Sequence, residues 1–340
     1  MHHAHGDDAY RQAHPVRLDF SSNVWPTPAV ATQTALQAHL AAELTRIDHY
    51  PEAMAETFTA ELAAQLAVPA EAVWVCNGAA DAIDRIALIW RERPAAIGRP
   101  TFAEYAEAAR RHGQVVMDAG DGDAPDATPG ALVWWCNPNN PTGTVTPRDE
   151  VLARVDAAPD GLFVVDQAYA DFAAEPAVSA ADAVVRPNLL LVRSMTKLHA
   201  LPGLRLGYVV GAPVLVERLR ERAVPWAVNR LALAAGRFLL GRSGPSADEM
   251  AQRRREARTL AGVLAQVRGI TVRPSGTHYF LWRNNKAPAA RLKADLVREH
   301  GILIRDAGNF DGLDAHWARV AARGEDDDQT LVEAVWRWML

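Results

Sequence analysis

Short apolar runs rich in β-branched and aromatic residues alternate with helical patterns between residues 72 and 211, and this alternation constrains the fold more than any other feature. AVWVC at 72–76, ALVWWC at 131–136, LFVVD at 162–166, LLLVRS at 189–194 and RLGYVVG at 205–211 read as strands. Stretches such as Asp81–Arg91 and Phe102–His112 read as the helices between them. Strands separated by helices connect through crossovers, so they lie parallel in one sheet with helices on both faces. The expected fold class is therefore α/β. The pattern breaks at GRSGPSAD (241–248), where Gly, Ser and Pro precede a charged helix that contains EMAQRRREARTLAGVLAQV. TVRPSGTHYFLWR, a further helix, GILIRD and a final helix follow, which reads as a smaller α+β domain. We expect a large domain over 30–240 and a small, discontinuous one made of 1–29 and 241–340. DAGDGDAPDATPG at 118–130 reads as a polar surface loop.

Composition excludes several classes of function. The 340 residues, 49% hydrophobic and 23% charged, can bury a large core, so a soluble globular protein is expected. A formal charge of −5 gives no global attraction to nucleic acid. No apolar run reaches the roughly 18 residues of a membrane span, and MHHAHGDDAY lacks the apolar core of a signal peptide, which points to a cytoplasmic location. Cys76 and Cys136 each end an apolar run, as reduced, buried thiols do. Neither CxxC nor HExxH spacing occurs, so no metal site is expected; the histidines of MHHAHG read as a mobile or substrate-side tail.

Polar clusters stand where strands give way to loops, the place where open α/β sheets hold ligands. At Cys76-Asn-Gly-Ala-Ala-Asp81 a small-residue turn leaves backbone N–H groups for an anion. At Asn137-Pro-Asn-Asn-Pro-Thr-Gly143 a rigid loop aims the Asn140 amide inward. Asp166-Gln-Ala-Tyr169 leaves a carboxylate at a strand end. The stretch RSMTKLHALPGLRLGY (193–208) places Lys197 between a buried strand and a Gly-rich turn, with Ser194 before it and Arg205 eight positions after it. A desolvated lysine loses its proton readily and becomes a nucleophile toward carbonyls. Ser194 and Arg205 are donors suited to a phosphate. An aldehyde that carries a phosphate meets both features. Pyridoxal 5′-phosphate (PLP) is such a molecule, and its ring nitrogen needs a carboxylate such as Asp166. A dinucleotide-binding reading lacks support, because no GxGxxG follows an early strand.

The ordered series Asn77-Gly78, Asn139-Asn-Pro-Thr-Gly143, Asp166-x-x-Tyr169 and Ser194-x-Thr-Lys197 with Arg205 resembles the class I/II aminotransferase family of fold-type-I PLP enzymes, from near residue 19 to the C-terminus. The resemblance implies the PLP-dependent transferase fold: a large domain with a mostly parallel sheet and a smaller α+β domain. It makes Lys197 the lysine that bonds the cofactor aldehyde and shuttles protons, and Asp166 the partner of the ring nitrogen. Asn140 and Tyr169 would hold the ring hydroxyl, while Ser194, Arg205 and the backbone of Ala79 and Ala80 would bind the phosphate. Tyr105 of PTFAEY would stack on the ring, with Phe102 a weaker candidate. Tyr50 of DHYPE matches a tyrosine that reaches the neighbouring subunit's phosphate, which implies a homodimer with shared active sites.

Within the family the chain is similar to two subfamilies, histidinol-phosphate aminotransferase and threonine-phosphate decarboxylase. The second is suggested by His5-Gly6, LDFSSNVWP (18–26), VPWAVN (224–229) and ILIRDAGNFDGLD (302–314). In both, the equivalents of Arg305 and Arg319 meet anionic groups of the substrate, and Asn23, His5 and His278 are the further substrate-binding candidates. Departures fall on the substrate side and around the cofactor turn: Asp7-Asp8 replaces Gly-Asn, His278 replaces asparagine, Gln167 replaces glutamate, and Ala79-Ala80 removes side-chain donors. The expected activity is amino transfer between an amino acid or amino-phosphate and a 2-oxoacid. The alternative is decarboxylation of the threonine-phosphate type.

Overall fold

Val, Trp and Leu runs flanked by polar turns bury both of their faces, and they assemble into one seven-stranded sheet. The computed structural model describes residues 6–25, 30–240, 242 and 244–340. Strand order across the sheet is Val73–Cys76, Gly207–Gly211, Leu189–Ser194, Leu162–Asp166, Leu132–Cys136, Ala95–Arg99 and Val116–Asp121. All run parallel except Gly207–Gly211, which pairs antiparallel with both of its neighbours. Its short connection from Leu189–Ser194 has no room for a crossover helix, so the chain turns back.

Successive side chains of the strands point to opposite faces, and each face meets its own helices. Trp134 and Cys136 pack with Ile83, Ile86 and Leu219 on one side. Val133 and Trp135 pack with Phe58, Val151 and Leu233 on the other. Two strands lack any apolar run in the sequence. Ala95–Arg99 is built from small residues, and Val116–Asp121 is an exposed edge strand with two aspartates. The stretch 118–130 is accordingly not all surface loop: its first residues complete that edge strand, and Asp123 is 9% exposed.

The rest of the chain forms an antiparallel four-stranded sheet ordered Arg305–Asp306, Trp317–Ala321, Tyr279–Asn284, Ile270–Val272. Its core gathers Phe20, Phe280, Trp282, Leu292 and Leu331. A Ser246–Glu249 capping box starts the helix Ala247–Leu264. Near the N-terminus, Leu18–Asp19 pairs parallel with Ile302–Leu303, and Phe20 continues the contact through bonds with Leu303 and Ala321. This pairing carries residues 21–25 to the Lys197 loop, where Trp25 N–H donates to the Lys197 carbonyl at 2.9 Å. No described helix is long and apolar enough to cross a membrane.

Candidate active site

A cavity of roughly 210 Å³ opens beyond the carboxyl ends of the parallel strands. Register alone places part of its wall: Asp166 pairs with Cys136 on one side and Val192 on the other, and Ser194 pairs with Gly207. Asp166 is 3% exposed and has no ion-pair partner among the described residues. Ala168 N–H donates to its Oδ1 at 2.9 Å and the Tyr105 hydroxyl to its Oδ2 at 2.8 Å. Burial raises its pKa, and these two donors oppose the rise.

The anion-binding turn is present. Gly78 adopts φ +81, and a Cβ there would lie 2.7 Å from Arg205 Nη2, so only glycine allows the guanidinium this close to the start of the helix Ala79–Ile89. Gly207 has the same role from the facing strand, where a Cβ would meet the Ala79 nitrogen at 2.9 Å. The first N–H groups of a helix have no acceptor one turn back, so those of Ala79 and Ala80 are left for a ligand. Ser194 and Thr196 share a hydroxyl contact of 2.8 Å at the same wall.

Lys197 lies on the turn after Ser194. Part of its surface opens to the cavity, yet protein surrounds the amine closely enough that burial pulls its pKa down to about 8, with Arg205 and Arg319 adding repulsion. Tyr169 lines the cavity with its hydroxyl pKa pushed up to about 12 by burial, and its ring meets Tyr279 edge-on at 5.0 Å. Asn140 Oδ1 accepts from Arg319, which leaves its amide nitrogen free of that bond. The neighbouring Asn139 does not face the cavity. Its nitrogen donates to Pro100 O, Asp123 Oδ1 and Thr142 Oγ1, and Asp123 in turn accepts from Arg273.

Arg305 and Arg319 stand directly opposite each other on adjacent antiparallel strands, 4% and 5% exposed. Arg305 donates to the Asp306 carbonyl and Asn309, and Arg319 to Asn140 and the Ser21 carbonyl. Neither forms a salt bridge among the described residues, and Arg319 Nε has no acceptor. Burial lowers both pKa values, that of Arg305 to about 10 with repulsion from Arg319 contributing. Two buried like charges in register destabilise a sheet unless an anion sits between them.

Two expectations, for Tyr105 and His278, are corrected. Tyr105 does not line the cavity. It is fully buried, its ring stacks on Trp134 at 5.0 Å and 9°, and its hydroxyl turns to Asp166; Phe102 lines the cavity instead. His278 is not at the cavity wall either. It packs against Phe172 at 4.1 Å with the rings tilted by 36°, its Nε2 lies 3.2 Å from the Asn23 carbonyl, and burial drives its pKa down to about 3, so it is a neutral support behind Asn23. Asn23 itself lines the cavity, 3% exposed, beside the Tyr169 hydroxyl but without a hydrogen bond of sound geometry. Tyr50 is 80% exposed and belongs to a separate groove with Arg230 and Arg237. His5 lies outside the described residues.

Two groups stand outside the binding candidates that the sequence offered. Gly6 and Asp7 reach the cavity, on a strap held by a buried Asp8–Lys293 ion pair at 2.7 Å and by Asp7 N–H on Ser21 Oγ. Asp123 and Arg273 knit the Asn139 loop. No local signal joins the second group, because Asp123 precedes Asn139 by 16 positions and Arg273 follows Asp123 by 150.

The chain matches the family described as Aminotransferase class I and II over residues 17–335. It is 31% identical to the threonine-phosphate decarboxylase of Salmonella typhimurium, covering 94% of this chain and 90% of that one. It is 32% identical to the histidinol-phosphate aminotransferase of Chromobacterium violaceum, covering 96% and 92%. The crystal structure of L-threonine-O-3-phosphate decarboxylase from Porphyromonas gingivalis superposes with a TM-score of 0.90 at 34% identity, over 95% of this chain and 99% of that one. With its sheet, its strand-end cavity and these relatives in agreement, the chain belongs to the class I and II aminotransferases, a family of PLP-dependent enzymes.

Proposed function

We propose that the protein binds PLP in this cavity and transfers an amino group between a 2-oxoacid and an amino acid or amino-phosphate that carries a second anionic group. The reading rests on one convergence. Lys197, a buried carboxylate with no ion pair, and two buried arginines with none meet in the same cavity. Each charge lacks its counterpart, and the cofactor and substrate have the groups to supply them.

The residues present fit the cofactor. Space left by Gly78 against Arg205, the Ala79 and Ala80 N–H groups and Ser194 form a cradle for its phosphate. Asp166 would pair with a positive ring nitrogen, Asn140 and Tyr169 would hold the ring hydroxyl, and Phe102 would cover the ring. When bound, PLP supplies an electron sink for a breaking bond at the substrate α-carbon. The protein then handles charge and protons. A pKa near 8 leaves a fraction of Lys197 uncharged at neutral pH, ready to take a proton at the α-carbon and return it. Arg305 and Arg319 hold the anionic groups, Asn23 offers an unused amide, and the strand-bound Asp166 supplies the negative charge that a positive ring nitrogen needs. The exposed Tyr50 and its groove of about 860 Å³ suit a second copy of the chain, which supports an isologous homodimer with shared sites. Two buried, unpaired thiols suit a cytoplasmic location.

A second reading, decarboxylation, is favoured by the names of the Salmonella and Porphyromonas relatives. The cavity serves either reaction, because the outcome depends on which α-carbon bond stands perpendicular to the ring. A panel of amino acids and their phosphate esters separates the two. Exchange that depends on an added 2-oxoacid establishes amino transfer, whereas stoichiometric carbon dioxide release without exchange establishes decarboxylation. Purified protein without a borohydride-sensitive visible band, even after incubation with PLP, would sink both.

A further inference from the structure

We propose that Tyr105 is a positioning residue, whose hydroxyl on Asp166 Oδ2 keeps that carboxylate ionised and directed at the ring nitrogen of the bound cofactor. The proposal rests on the reading that PLP occupies the cavity. It replaces the stacking role expected for this tyrosine.

A tyrosine hydroxyl buried in a core needs a partner, and the sheet offers this one a single carboxylate. Tyr105 is 0% exposed. Its ring is clamped between Trp134, stacked at 5.0 Å, and Phe102, edge-on at 5.6 Å, so the hydroxyl cannot swing elsewhere. The helix Glu104–Arg111 that carries it packs on the face where Trp134 and Cys136 point. Asp166 therefore receives a donor from each side: the local Ala168 N–H on Oδ1 and, from a different element, the phenol on Oδ2. In apolar surroundings a carboxyl tends to keep its proton, and a protonated Asp166 would offer no negative charge to a ring nitrogen. Two donors offset that tendency. Phe102, on the cavity side of Tyr105, is left to cover the ring.

The stacking and the anchoring roles respond oppositely to one substitution. Tyr105→Phe keeps an aromatic ring in place and deletes only the donor. We expect its affinity for PLP to fall by about 10–100-fold, the strength of one hydrogen bond to a charged group. Affinity for the carbocyclic analogue, in which the ring nitrogen is replaced by carbon, should stay within about threefold, because that ring has no use for the Asp166 charge. In turnover, kcat should fall by a similar factor with KM nearly unchanged, since the carboxylate acts on the breaking bond and not on the arginine-held groups. Asp166→Asn sets the scale: it should remove the preference for the nitrogen-bearing ring, and Tyr105→Phe added to it should change nothing further. Equal losses for both rings, or full additivity with Asp166→Asn, would overturn the proposal. Wild-type protein that binds neither ring would instead overturn the PLP reading on which it stands.

Discussion

Two sets of residues line the cavity, and they are held in place by different means. Asp166, Ser194 and the Ala79–Ala80 turn sit at strand ends or a helix start, each fixed within the seven-stranded sheet by backbone register or a glycine contact. Arg305, Arg319, Asn23 and the Gly6–Asp8 strap come from the second sheet and the N-terminal segment, and their groups reach the cavity on long side chains or a short tether. Backbone placement admits little adjustment, since interiors are close-packed. Side-chain placement can be retuned one residue at a time. The first set therefore suits an invariable ligand such as the cofactor, and the second a substrate that differs among relatives.

The strongest test of this division is Lys197→Ala. It should lower kcat by at least about 10⁴-fold and abolish the visible band, while the ligand-free variant is no less stable than ligand-free wild type at neutral pH. The amine's lowered pKa means that folding gains nothing from its charge. Between about 8 and 10.5 the unfolded chain holds the proton more tightly, so the stability of ligand-free wild type rises with pH there, and calorimetry of the ligand-free variant should lack that rise. Activity within tenfold of wild type would remove Lys197 from the chemistry.

Next in size are Arg305→Gln and Arg319→Gln. Each removes a buried charge that awaits an anion, so KM for an anionic substrate should rise by roughly 30-fold or more with kcat less affected. The ligand-free protein should respond in the other direction. Relieving two like charges in register should stabilise it by up to about 1 kcal/mol at low salt, measured by denaturant titration. Loss of stability in both variants would show that the pair is compensated in a way the strand register hides.

The same division explains what could be read from the sequence. The strand-end residues occur in short stretches whose spacing reflects one strand and its turn, so Asn140, Asp166, Tyr169, Ser194, Lys197 and Arg205 could be grouped without a structure, and all six line one cavity. The sheet is legible wherever large apolar residues fill a strand buried on both faces, and illegible in Ala95–Arg99, which is buried but built mostly of small residues, and in Val116–Asp121, which is exposed and carries two aspartates. Sequence puts Tyr105 and His278 at the wall because it gives proximity along the chain and not the direction of a ring. Packing on Trp134 and Phe172 turned both rings into the core. Asp123 looked like solvent-facing polarity for a related reason: the groups that satisfy it, Asn139, Thr142 and Arg273, come from later parts of the chain.

His278 offers a smaller effect, on stability and not on chemistry. Its folded pKa of about 3 lies below the ordinary value of 6.5, so the unfolded chain takes up a proton that the folded one refuses. Its neutral form is fully compatible with folding above pH 6.5, and stability is lost as pH falls from 6.5 toward 3, by up to about 1.4 kcal/mol per pH unit. His278→Asn removes the titration, so the acid limb of a stability–pH curve should flatten. An unchanged limb would mean that other groups govern acid unfolding, and KM should stay close to wild type because the ring stands behind Asn23.

The smallest expected effect bears most directly on the substrate. Asp7 brings a carboxylate to a cavity whose arginines otherwise call for negative charge. It is exposed and lies within electrostatic reach of Lys197, so solvent weakens its influence without abolishing it. A substrate group with two charges, such as a phosphate, feels that repulsion about twice as strongly as a carboxylate does. Asp7→Asn should therefore improve kcat/KM for phosphate-bearing amino acids by about fivefold, more than for their carboxylate counterparts, and the gain should shrink as salt rises. Because the strap is held by Asp8, Lys293 and Ser21, the substitution leaves its position intact. A gain shared equally by both substrate classes would mean that Asp7 acts on the cofactor side through Lys197, and the separation between the two sets of residues would then be weaker than their construction implies.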